Sequence, residues 1–72
     1  MKFYKYPENT PREFELLAVW DDKGDSAGHR NTSHGNIIVW DGHRFTGDLA
    51  HSVMCDLNNI VKFGYWSELY EY

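Results

Sequence analysis

Apolar and polar positions along the chain alternate with a period of two in several short stretches. They recur with a period near 3.6 in one long stretch, so the pattern predicts a mixed fold. Residues 1–6 alternate weakly and contain the aromatic β-formers Phe3, Tyr4 and Tyr6, which predicts a short strand. Pro7-Glu8-Asn9-Thr10-Pro11 follows as a turn, because two prolines and an Asn do not continue a ladder. Residues 13–20 predict a better strand. Phe14, Leu16, Ala18 and Trp20 share one face of it, and Glu13, Glu15, Leu17 and Val19 share the other. Residues 21–36 carry Gly24, Gly28 and Gly35 and no hydrophobic period, and read as a long polar loop.

Ile37 to Trp40 is an apolar β-run. Asp41-Gly42 after it predicts a two-residue hairpin turn, since a type I′ turn needs positive φ at both positions. That register sets Trp40 opposite His43 and Ile38 opposite Phe45, with Ile38, Trp40 and Phe45 on one face. Over residues 48–63, Leu49, Val53, Leu57, Ile60 and Val61 recur at helical spacing, which predicts an amphipathic helix. Thr46 or Asp48 suits its start, and Gly64 its end. Residues 65–72 fit a strand or a short second helix, and the aromatics after Gly64 favour the strand. The expected architecture is α+β: one domain over residues 1–72, with an antiparallel sheet of three to five strands and the 48–63 helix on one face. A single helix covers one face, so the other is expected to be polar or covered by something else.

Size sharpens this expectation. A core built from 72 residues contributes only about 3–5 kcal/mol unless a disulfide, a metal or a second copy helps. Cys55 is the only cysteine, which excludes an internal disulfide and suits a reducing compartment. The N-terminus lacks the apolar stretch of a signal peptide, and no run approaches the roughly 20 residues of a membrane span. A cytoplasmic protein without membrane contact is expected. Eleven acids against seven bases give a net charge of −4. With the cations scattered from Lys2 to Lys62, direct nucleic-acid contact is not expected, and a basic protein surface is the natural partner. The twelve aromatics exceed what a small core obviously needs, and surplus Tyr and Trp suit an interface.

On the outer side of the expected helix, Asp48, His51, Cys55 and Asn59 align. His51 and Cys55, four apart, have the spacing for an activated thiolate. With Asp48, and one of His29, His34 or His43, they also offer metal ligands. An amphipathic helix aligns polar residues without any such purpose, and no C-x-x-C pair, phosphate loop, EF-hand spacing or hydrolase elbow is present. No catalytic residue and no cofactor are therefore expected, and a metal- or thiol-dependent protein stands as the alternative. Asn31-Thr32-Ser33 fits the glycosylation pattern but has no secretory context.

The residues best suited to bind a partner are the acidic aromatic C-terminus, Tyr65, Trp66, Glu68, Tyr70, Glu71 and Tyr72, together with Asp21, Asp22 and Asp25 in the loop. At a sheet edge, such a segment also invites pairing with a second copy as a homodimer. Small, acidic and ring-rich, the chain is similar in type to phage or mobile-element proteins that inhibit by occupying a host protein, anti-CRISPR inhibitors among them. The likeness is one of class, not of motif. The sequence thus points to an inhibitor or adaptor that blocks or recruits a basic protein.

Overall fold

The computed structural model describes residues 2–28, 37–48 and 54–69. Among these described residues, six strands form one antiparallel sheet: β1 (Tyr4–Lys5), β2 (Leu17–Asp21), β3 (Ser26–Ala27), β4 (Ile37–Trp40), β5 (Phe45–Asp48) and β6 (Ile60–Tyr65). Their order is β1-β6-β2-β4-β5. One side of β2 is shared, with Leu17 paired to Ile38 of β4, and Val19 and Trp20 paired to Ala27 and Ser26 of β3. A 3₁₀ turn, Leu57–Asn59, precedes β6, and a single helical turn, α1 (Trp66–Leu69), follows it.

The two-residue period decides what goes inside. Leu17, Val19, Ile38, Trp40, Phe45, Phe63 and Tyr65 point to one face and are buried. The sheet bends until its two edges meet over them. Tyr6, just after β1 at one edge, lies 4.9 Å from Phe45 and 5.6 Å from Trp40 at the other, centroid to centroid. Tyr4 stacks on Phe63 at 5.4 Å, and Phe63 and Tyr65 meet at 5.7 Å. Cys55 and Leu57 add to the same cluster. Each ring brings roughly 150–250 Å² of surface, so much of the aromatic excess goes into the core of a short chain.

The helix expected over residues 48–63 is corrected wherever the structure describes it. Phe45–Asp48 is a strand, and Ile60–Tyr65 is the inner strand between β1 and β2. The helical spacing of Leu57, Ile60 and Val61 is incidental to a segment rich in β-branched and aromatic residues, which fit a pleated surface better. Gly64 sits inside that strand rather than ending a helix. A Cβ there would lie 2.9 Å from Leu69 Cδ1, so the missing side chain lets α1 fold back onto the sheet. Leu49 and Val53 lie outside the described residues.

The hairpin forms, but in another register: Trp40 pairs with Phe45 and Val39 with Thr46, around a four-residue loop. The Asp41 carboxylate sets the loop by accepting the N–H groups of His43 (2.8 Å) and Arg44 (2.9 Å). A slip of two residues keeps every side chain on its face, so Ile38, Trp40 and Phe45 still point inward together. The strand expected over residues 13–20 starts at Leu17, because Phe14 adopts φ of 58° and breaks the extended path. The 21–36 segment holds β3, and residues 65–69 divide between the end of β6 and α1.

Candidate functional site

Six of the nine residues expected to meet a partner are described, and these six fall into separate places. Tyr65 is in the core; its Oη accepts the Arg12 N–H at 3.1 Å, and the Arg12 guanidinium carbon lies 3.9 Å from the ring centroid. Trp66 is half-buried, and its indole N–H donates to the Gly28 carbonyl. Glu68, also half-buried, accepts the Tyr4 hydroxyl at 2.9 Å. Tyr70, Glu71 and Tyr72 lie outside the described residues.

Asp21 is 2 % exposed. Its Oδ2 accepts the Asp56 N–H at 3.0 Å, and its Oδ1 accepts those of Lys23 and Asp25 at 2.9 Å each. These bonds, the one from Asp56 foremost, hold its carboxyl below the ordinary range. Asp21 therefore ties the β2–β3 turn to the segment before β6, while Asp22 is exposed and Asp25 half-buried. Because Leu17 pairs with Tyr65 and Asp21 with Ile60, the two groups sit at opposite ends of β2. At about 3.3 Å per residue, Tyr65 and Asp21 are roughly 13 Å apart along the strand.

Of the alternative set, Cys55 is buried, and its thiol is pushed up to about 11. Desolvation is the main cause, and the nearby carboxylates of Asp21, Asp25 and Asp56 add to it. Such a thiol stays protonated at neutral pH, the reverse of what a nucleophile needs. His51, His29, His34 and the side chain of Asp48 lie outside the described residues. His43 is exposed in the hairpin loop. Among the described residues, no group of three or more His, Cys, Asp or Glu is placed to hold a metal ion.

A different surface emerges at the Tyr65 end of β2. Residues 12–16 cross in front of α1: the Leu16 carbonyl accepts the Trp66 N–H at 3.1 Å, and Glu15 accepts Arg12 at 2.9 Å and the Ser67 hydroxyl at 3.2 Å. Arg12, Glu15, Leu16, Trp66 and Ser67 line an open depression of about 430 Å³. Beside it in sequence, Phe14 is 69 % exposed and Leu16 37 % exposed. Phe14 is held outward by its left-handed backbone, with its N–H donating to the Trp40 carbonyl at 2.8 Å. Sequence alternation had placed Phe14 and Leu16 on one face, but nothing marked residues 12–16 as a crossing rather than a strand.

Comparison with protein-family models, with curated proteins and with solved structures gives no match. No helix among the described residues is long and apolar enough to cross a membrane.

Proposed function

We propose that this chain is a small acidic binding module that occupies a basic surface of a partner protein, as an inhibitor or adaptor does, and performs no chemistry. The observation that carries the reading is the apolar, acid-flanked end formed by residues 12–16 and α1. Leu16 is exposed and lines the depression with the half-buried Trp66, Phe14 two residues before it is exposed, and Glu13 is exposed while Glu68 is half-buried. A Phe held outward in a left-handed conformation costs about 1–2 kcal/mol of backbone strain, and a ring so displayed gains by being covered. An aromatic anchor in a polar surround is the usual anatomy of a protein interface.

Charge supports a basic partner. The net charge is −4, and Arg12, the cation of this end, is neutralised by Glu15 and laid over Tyr65. The acidic turn at Asp22 and Asp25 would act from the far end of β2 as long-range steering, not as direct contact. The site of action in this reading is the cytoplasm, that of the host if the gene is phage-borne. The test is the partner's affinity for two variants. Glu68 and Glu71 changed together to Lys should weaken the complex about tenfold and flatten its salt dependence. Phe14→Ser should weaken it at least as much without altering that dependence. Unchanged affinity in both variants would dispose of the reading.

A further inference from the structure

β5 ends the strand order, and among the described residues only β4 pairs with it. The antiparallel ladder fixes which of its main-chain groups are used. The Asp41 N–H donates to the Arg44 carbonyl at 3.1 Å, so the hydrogen-bonded pairs that follow are Val39 with Thr46 and Ile37 with Asp48. Phe45 and Gly47 alternate with these and turn their N–H and C=O groups away from β4. Among the described residues, no hydrogen bond reaches those outward groups. Tyr6 closes on Phe45 ring to ring, not strand to strand. Gly47 is exposed and has no side chain to hold another backbone off. Phe45, at 5 % exposure, has little water to stand in for a partner, so pairing its outward groups is favourable. Neither Pro nor Lys guards this edge.

We propose that β5 pairs antiparallel with β5 of a second copy, about a two-fold axis that passes between the two Thr46 residues. Phe45 of each copy then bonds Gly47 of the other through their outward N–H and C=O groups, and every outward group finds a partner. The same register sets Arg44 opposite Asp48 of the second copy, and the symmetry repeats that match at the other end. A strand that meets itself with cation across from acid is self-complementary, and opposite charges directly across a pair favour it. Sliding the copies to the next registers that keep the outward groups in line sets Arg44 or Asp48 opposite Thr46 instead. The Arg44 side chain is 80 % exposed, and its Nε lies 3.9 Å from Asp41 Oδ2, a loose contact that leaves it able to reach across. A second copy also supplies the help that so small a core needs. Tyr65, in the segment where the sequence suggests a homodimer, instead ends β6, which lies between β1 and β2. The β5 residues are distinct from Phe14, Leu16 and Glu68, so the proposal stands or falls apart from the protein-binding reading.

The experiment is sedimentation equilibrium of the full chain at concentrations rising to about 1 mM, where the wild type should pass from monomer to dimer. Arg44→Glu and Asp48→Arg should each weaken the dimer about tenfold, because each sets like charges across the axis at both ends. The two changes combined should restore it to within about threefold. Thr46→Cys should give a disulfide-linked dimer on mild oxidation, since a non-hydrogen-bonded pair holds its Cα atoms about 4.5 Å apart, within disulfide reach. His43→Cys, in the exposed loop, should not, and the buried Cys55 does not compete. Circular dichroism melting confirms that each variant is folded, and the exposed Arg44→Glu keeps the test open if Asp48→Arg is not. A chain that stays monomeric at about 1 mM would overturn the proposal and leave the edge to a foreign strand. So would a dimer that the charge changes do not move and that Thr46→Cys does not link, since that dimer uses another surface.

Discussion

Exchanging two residues of β6 separates the observed strand from the helix that the sequence favours. Phe63 is 0 % exposed and touches the rings of Tyr4, Phe45 and Tyr65, whereas Val61 is 44 % exposed. Burying a phenyl ring of roughly 150–250 Å² at about 25 cal/mol per Å² contributes about 4–6 kcal/mol. Truncating Phe63 to Ala should then cost about 3–5 kcal/mol, as much as the whole stability of a domain this small. Phe63→Leu keeps most of the volume and should cost about 1–2 kcal/mol, which leaves a measurable folded population. Val61→Ala, removing atoms already half in water, should cost under about 1 kcal/mol. Urea unfolding followed by tryptophan fluorescence gives both values, with an unchanged denaturant slope as the check that only stability moved. In a helix over residues 48–63, Val61 shares the inner stripe with Leu57 and Ile60. A Val61→Ala cost exceeding that of Phe63→Leu would therefore refute the strand and the core built on it.

Gly28→Ala should destabilise by at least about 2 kcal/mol and lower the melting temperature by roughly 10 °C, because φ is +77° and a Cβ would lie 2.1 Å from the Leu17 carbonyl oxygen; calorimetry checks it. The carboxyls of Asp21 and Asp41 are held below their ordinary value of 3.8, so the stability they confer is present above that pH and is lost as pH falls through their lower folded values. Acid titration of the melting temperature should show this loss below about pH 4, and Asp21→Asn should remove part of it. With its thiol raised to about 11 and buried, Cys55 should resist a disulfide reagent at pH 8 in the native protein and react promptly in denaturant; rapid native labelling would contradict its placement.

The sequence revealed faces better than elements. Ile38, Trp40 and Phe45 share a face in the expected register and in the observed one, because a slip of two preserves the pleat. The helix expected over residues 48–63 is replaced, where residues are described, by a 3₁₀ turn and strands, because Leu57, Ile60 and Val61 satisfy a helical period by chance and a short apolar run of this kind is ambiguous on periodicity alone. Its correct reading depends on a non-local fact, the pairing of β6 with both β1 and β2. Tyr6 reaching Phe45 across the sheet is likewise a contact between residues distant in sequence, which no local pattern predicts. Asp21 looked like a surface acid because charge gives no hint that three backbone N–H groups converge on it. Phe14 was legible as apolar, but its left-handed backbone was not, and that conformation turns it from a core residue into an exposed one.

The most direct test of the binding-module account is a matched pull-down from cells of the source, comparing the wild-type chain with a Phe14→Ser/Leu16→Ser variant shown to be folded by circular dichroism. The account predicts that the wild type retains one basic protein in near-stoichiometric amount and that the variant loses it. Retention of that protein by the variant with undiminished affinity would contradict the account.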